Sequence, residues 1–225
     1  MAKAENCPNC GAEVIFRSPA LPARICDYCQ ATVKRVGDHL EQIGEVAALP
    51  FDVSPVRIGT AGQYEGHGFE VIGRIRLGWE AGAWNDWLCL FNDMSHGWLS
   101  EADGQFSMVI EQPLDSVQSE LIHRIAEGQP AEVGERTQID NRIYTVSEAR
   151  WAECIAAEGE LPFAPETGWR VYNVDLRNPD GFSANVELEE DEDPQFYMGR
   201  YLELAELSPR YLRSIHGWKM PDYAA

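Results

Sequence analysis

The rhythm of hydrophobic and polar positions changes several times along this chain of 225 residues. After Pro55, β-branched and aromatic residues punctuated by glycine recur at Gln63-Tyr64-Glu65, Gly68 to Leu77, Trp84 to Asn92, Gly97 to Glu101 and Gln105 to Ile110. Runs of this kind predict antiparallel strands, and the glycine, Asn and Asp residues of 64–68 and 92–97 supply the chemistry of tight turns. Val117, Leu121, Ile122 and Ile125 fall at helical spacing, so Asp115 to Glu127 is expected to form one amphipathic helix that closes this unit. Ahead of it, Val33 to Ala48 mixes polar and apolar residues at roughly helical spacing and predicts a short helix or linker. Near the other end, Gln195 to Tyr201 predicts a strand and Ser208 to His216 a short C-terminal helix, with Ser208 and Pro209 in its first turn.

The second part of the chain repeats the first. Ile58-Gly59 corresponds to Val133-Gly134, Gln63 to Gln138, Glu65 to Asp140, Phe69 to Tyr144 and Val71 to Val146, always 75 residues later. The turn is kept in kind, with Gly66 answered by Asn141, another residue that tolerates positive φ. After an insertion around Glu158 to Thr167, Trp87-Leu88-Cys89-Leu90-Phe91 is matched to Trp169-Arg170-Val171-Tyr172-Asn173. Two copies predict a pair of packed modules, because a solenoid needs more units.

Cysteine spacing adds a third element. Cys7-Pro8-Asn9-Cys10 and Cys26-Asp27-Tyr28-Cys29 are two C-x-x-C pairs at a separation typical of four-cysteine zinc sites. Two intervening residues let a tight turn aim both thiolates at one ion, and Gly11 can take the positive φ that relaxes the turn. Val14 to Arg17 and Ala23 to Ile25 are expected to pair as a hairpin between the two cysteine turns. With four thiolates no coordination position stays open, so one structural Zn2+ per chain is expected at Cys7, Cys10, Cys26 and Cys29. Cys89 and Cys154 lie in apolar stretches and read as buried small hydrophobes. The fold class that results is mainly β, with a zinc ribbon ahead of two similar small antiparallel barrel or curled-sheet units and a few short helices. The boundaries are 1–35 for the ribbon, 36–55 for the linker or short helix, 56–128 for the first β unit with its closing helix, and 129–225 for the second with its C-terminal helix.

Charge narrows the partners. Hydrophobic residues at 44% and charged residues at 24% are ordinary for a folded domain. The 18 basic against 37 acidic residues leave a net charge of −19, which repels phosphate backbones and argues against nucleic acid, even though a ribbon would otherwise invite it. Cations, polyamines or a basic protein face would be attracted. No stretch approaches the roughly 20 apolar residues of a membrane helix, and with the cysteine usage this points to the cytoplasm without direct membrane insertion. The acidic run Glu187 to Asp193 reads as a solvated loop.

Chemistry is sparse. His67, His96 and His216 fall in turns or near the terminus without a Ser or Cys partner at recognisable spacing, and there is no phosphate-cradling or dinucleotide glycine motif. No catalytic residue is assigned and the protein is not expected to be an enzyme. Trp84, Asn85, Trp87 and Glu101 form the candidate surface for a ligand or partner, since aromatic walls beside an acid can hold an ammonium group.

Several of these strings occur together in a known family. Gly59 with Gly62-Gln63-Tyr64, Phe69 to Arg74, Trp84 to Phe91, Gly97 to Glu101 and Phe196 to Tyr201 resemble the bacterial family called domain of unknown function 4178, over Ile58 to Leu202. Members of that family often carry a cysteine-pair ribbon ahead of the domain, and their genes tend to accompany those of polyamine-modifying enzymes and membrane-associated proteins. The resemblance implies a shared fold and carries over no catalytic residue. The expectation is a non-catalytic adaptor that docks a protein partner in a membrane-linked or polyamine-related process. The alternative is an acidic module that senses a cationic small molecule such as a polyamine.

Overall fold

A computed structural model describes residues 3–37, 39–45, 54–165, 168–190, 192–217 and 219–222. Each C-x-x-C pair sits in a turn between two strands. The first turn joins β1 (Lys3–Asn6) to β2 (Glu13–Phe16), and the second joins β3 (Ala23–Ile25) to β4 (Ala31–Val36). The turns are built alike. Cys7 N donates to Ala12 O at 2.8 Å as Cys26 N does to Ala31 O at 2.9 Å, and Gly11 and Gln30 both adopt positive φ. The expected hairpin between 14–17 and 23–25 does not form, because β2 and β3 each pair within their own cysteine turn. Nor is the region after Val33 helical as far as it is described. Gly37, at φ +59, turns the chain back so that β5 (His39–Glu45) lies along β4, whose other edge is taken by β3. Open strand edges outweigh the weak helical spacing there. The rest of the linker, residues 46–53, lies outside the described residues.

The body is one closed barrel made from two curled sheets. The first half runs β6 (Ala61–Tyr64), β7 (His67–Trp79), β8 (Gly82–Phe91), β9 (His96–Ala102) and β10 (Gln105–Gln112), followed by helix α1 (Glu120–Ala126). The second runs β11 (Arg136–Ile139), β12 (Arg142–Leu161), β13 (Arg170–Arg177), β14 (Phe182–Glu189) and β15 (Gln195–Leu202). β7 to β10 and β12 to β15 are four-stranded antiparallel meanders, and the eight strands close through two seams, β7–β12 and β10–β15. Each seam joins a strand to its counterpart in the other half. At both seams glycine admits a close backbone approach, since a Cβ on Gly73 would stand 1.8 Å from Glu160 O and one on Gly199 1.8 Å from Met108 O.

Backbone features of the two halves coincide 75 residues apart. Gly59 N donates to Val71 O at 2.8 Å and Gly134 N to Val146 O at 2.9 Å, while Val71 N reaches Thr60 O as Val146 N reaches Glu135 O. The turn residues Glu65-Gly66 and Asp140-Asn141 all adopt positive φ, and a bulge follows Val71 in β7 and Val146 in β12. The correspondence of Trp87 with Trp169 does not hold. Val71 faces Cys89 whereas Val146 faces Leu176, so Trp87 is structurally equivalent to Val174. β12 is longer than β7, and the insertion exceeds what matching the tryptophans requires.

Apolar side chains pack on the outside of this barrel. α1, capped by Ser119 Oγ accepting from Ile122 N at 3.2 Å, buries Leu121, Ile122 and Ile125 against Tyr144, Val146, Val174 and Val186 of the second half. The first half is covered in turn by residues that follow β15. Leu204, Leu207 and Leu212 pack on Phe69, Val71, Trp87 and Met108. Residues 204–207 form a 3-10 turn, and the expected helix over 208–216 is absent. Ser208 and Tyr211 adopt left-handed φ, and the backbone bonds outward instead, Arg210 N to Ala61 O and Arg213 N to Pro55 O.

The ribbon docks on the end of β12 through β3, with Arg24 opposite Glu160. The fully buried Glu160 carboxylate accepts from Arg17 N at 2.7 Å, Ser18 N at 2.9 Å and Arg24 Nη1 at 3.3 Å. Beside it Leu21 packs on Ile72, Leu88 and Trp98, and Arg17 pairs with Glu70.

Candidate functional site

Two places in the molecule concentrate chemistry. The first is the cysteine cluster, where the thiol sulfurs of Cys7, Cys10, Cys26 and Cys29 all lie within 4.8 Å of one another and could hold a metal ion. Cys7 Sγ is 3.8 Å from Cys29 Sγ, and Cys10 Sγ is 3.8 Å from Cys26 Sγ. The sequence brings them together because the two alike turns face each other.

The second place is the barrel interior. Alternate residues of a strand point to opposite faces, and here the outward set is apolar while much of the inward set is polar. On β13 Val174 and Leu176 face α1, so Asn173 and Asp175 face in; on β14 Ala184 and Val186 pack outward, so Ser183, Asn185 and Glu187 face in. These inward residues line a cavity of about 570 Å³, within the range of small-molecule sites. Eight strands enclose a space that side chains can fill or that can hold one small ligand.

Five carboxylates line the cavity, Asp86, Asp103, Glu148, Asp175 and Glu187, against two arginines, Arg150 and Arg177. Arg150 is committed to Glu148 at 2.8 Å and lies over the Trp79 ring. Arg177 lies over Tyr201. Among the described residues, no cation forms an ion pair with Asp86, Asp175 or Glu187. Burial pushes the Asp86 carboxyl up to about 6, against hydrogen bonds from Ser100 Oγ at 2.5 Å and Trp84 Nε1 at 2.7 Å, with the Asp175 charge adding to the rise. Burial also raises Asp175, although Asn185 Nδ2 and Asn173 Nδ2 each donate to it at 3.0 Å. Glu187 is raised well above the usual carboxylate range, first by burial and then by the charges of Asp86 and Asp175. The three acids therefore feel one another. Beside them, Asn185 Oδ1 and Ser183 Oγ are buried with no hydrogen-bond partner among the described residues.

The cavity also has an aromatic wall. Ile75, Leu77, Trp84, Trp98, Phe163 and Trp169 belong to one packed cluster and also border the cavity, with the four aromatic residues only half-buried. Phe163 and Trp169 stand 4.9 Å apart between ring centres. Trp169 Nε1 is tied to Glu189 Oε2 at 2.7 Å, as Trp84 Nε1 is tied to Asp86.

The four residues read from the sequence as one surface are parted by the strand period. Trp84 faces the cavity, whereas Asn85, Trp87 and Glu101 lie on the outer face, each under 9% exposed. There Glu101 Oε2 accepts from Ser54 Oγ at 2.6 Å, Trp87 Nε1 at 2.9 Å and Asn85 Nδ2 at 3.2 Å, and Arg74 lies over the Trp87 ring and donates to Asn85 Oδ1. This is a satisfied internal polar cluster covered by the chain. The acidic run is divided as well, since Glu187 and Glu189 belong to β14 and Glu187 enters the cavity rather than a solvated loop. Cys89 and Cys154 are buried, and burial pushes both thiols up, as expected of inert residues. Asp175, Asn185 and Glu187 were not singled out from the sequence. Their signal is the alternation Asn173-x-Asp175 and Ser183-x-Asn185-x-Glu187, which marks a polar face without saying that the face is enclosed.

Residues 57–204 match the family described as domain of unknown function, DUF4178. The chain belongs to that family. The DUF4178 match takes in both meanders and both seams, so the family domain is the barrel with its cavity, while the cysteine turns precede it. No curated protein and no solved structure matches the chain. Among the described residues no helix is long and apolar enough to cross a membrane.

Proposed function

We propose that this DUF4178 barrel is a binding module for a small organic cation, held inside the barrel by Asp86, Asp175 and Glu187. The observation that carries the reading is the set of three mutually repelling carboxylates without an ion-pair partner, lining a cavity that four half-buried aromatic residues also border. An ammonium group offsets this repulsion, because it brings an opposite charge and donates up to three hydrogen bonds. Of the two expectations drawn from the sequence, the cavity supports the sensor of a cationic metabolite. The cysteine turns hold one structural zinc in this reading. A Zn–S distance of about 2.3 Å in a tetrahedron sets sulfurs about 3.8 Å apart, which matches the two 3.8 Å separations. The two halves are read as copies of one unit, closed on each other around the site.

Thermal unfolding with hexylamine, putrescine or spermidine, each compared with sodium chloride at equal ionic strength, tests the binding, and a specific effect of any one of them supports it. Ligand at about 100 times its Kd adds about 2.7 kcal/mol to the stability. A saturable rise in Tm beyond the salt control is expected, and it should be lost in Glu187→Gln. Equal shifts with amines and salt would leave the proposal without support.

A further inference from the structure

The cavity has two unlike walls, and the pair of them narrows the ligand class. This inference rests on the reading of the barrel as an amine site. The acids and the orphaned polar atoms come from β8, β13 and β14, whereas the apolar wall comes from β7, β8, β9 and the connection between β12 and β13. Asp86 stands at the junction, since its carboxylate accepts from the indole of Trp84, a member of the apolar wall.

A ligand that carried only charge would leave the apolar wall unused. Trp84 and Trp98 on barrel strands, and Phe163 and Trp169 in the connection before β13, remain half-buried and present part of their surface to the cavity. The indole nitrogens of Trp84 and Trp169 are already bonded to Asp86 and Glu189. What these two rings offer the cavity is apolar surface. The polar wall makes the complementary demand through Asp86, Asp175 and Glu187, with which no cation forms an ion pair among the described residues.

We propose that the ligand is an amphipathic monoamine, an ammonium group on an alkyl or aryl body, with the ammonium at Asp86, Asp175 and Glu187 and the body against Trp84, Trp98, Phe163 and Trp169. A linear polyamine would have to desolvate a second ammonium against the aromatic wall, whereas the body of a monoamine buries apolar surface there.

The test is a titration of the full-length, metal-loaded protein by calorimetry, with tryptophan fluorescence as a second readout. The probes are butylamine, hexylamine, 2-phenylethylamine, 2-phenylethanol, putrescine and spermidine at matched ionic strength. The inference expects about a fourfold gain in affinity for each added methylene that enters the apolar part. It also expects 2-phenylethylamine to bind well ahead of both 2-phenylethanol and putrescine. Phe163→Ala lies in a connection rather than a barrel strand, and it should flatten the chain-length dependence while circular dichroism stays unchanged. If putrescine or spermidine binds as tightly as hexylamine, the amphipathic assignment is overturned and the amine site stands. Binding of 2-phenylethanol as tight as that of the amine would overturn the charge side instead. Failure of every amine to bind would remove both.

Discussion

Replacing Asp86 by Asn probes the energetic cost of the cavity acids directly. The side chain keeps its size, and its amide oxygen can still accept from Ser100 or Trp84, whose donors lie at 2.5 and 2.7 Å. The carboxyl rises from its ordinary 3.8 to about 6, chiefly by burial, and at about 1.4 kcal/mol per pH unit this corresponds to about 3 kcal/mol. Because the group faces a cavity that water can enter, about 1–3 kcal/mol is a fairer range. With the folded value above the unfolded one, the folded protein holds the proton more tightly. The contribution is therefore fully present below pH 3.8 and is lost as pH rises through about 6. At pH 7.5 the native protein carries the full cost of an ionised, desolvated Asp86 and the variant does not. Urea unfolding of both proteins from pH 4.5 to 7.5, followed by tryptophan fluorescence, should show the variant gaining about 1–3 kcal/mol relative to the native protein across that range. Acid effects on the cysteine cluster are common to both and cancel in the difference. A difference that stays flat with pH would refute the argument that Asp86 is strained by its surroundings, even if the variant were more stable throughout.

Three further outcomes follow from the packing. Metal analysis of the purified protein should give about one zinc per chain, and Cys26→Ser should abolish stoichiometric zinc, so a variant that kept it would contradict the four-thiolate site. Glu160→Ala strands the N–H groups of Arg17 and Ser18 and leaves the buried Arg24 guanidinium only its pair with Asp27. It should cost about 3–5 kcal/mol and expose the ribbon to protease before the barrel, whereas simultaneous cleavage of both would count against its role as the docking clamp. Gly199→Ala should destabilise by about 3 kcal/mol or more, since its Cβ would meet Met108 O at 1.8 Å. Gly181→Ala, where a Cβ meets nothing within 4 Å but φ is +88, should cost only about 1–2 kcal/mol, and equal Tm losses for the two would undo the seam argument.

Much of the fold was legible because local signals are strict. Two C-x-x-C turns and the Glu65-Gly66 and Asp140-Asn141 hairpins are specified by spacing and backbone chemistry within a few residues. So are the inner strands and the apolar positions of α1. The cavity was not legible, because it depends on pairing residues far apart, such as Gly78 with Glu153 and Phe106 with Leu202. Alternation in β8 tells that Trp84 and Trp87 lie on opposite faces, but only closure decides which face is enclosed. Bulges after Val71 and Val146 also shift the parity within β7 and β12. The stretch after Leu207 departs from its helical pattern for a related reason, since Arg210 and Arg213 bond to Ala61 and Pro55, far away in the sequence.

The exchange of covers between the two halves bears on how the molecule is born. Leu204, Leu207 and Leu212, which shield Phe69, Val71 and Trp87, leave the ribosome after every strand of the barrel. α1 shields β12 to β14, none of which has been made when α1 emerges. The first half therefore cannot bury its outer face until every barrel strand has been made, and the interior cannot close until β15 pairs with β10. During that interval the waiting first half presents the apolar surface that a holding chaperone would bind.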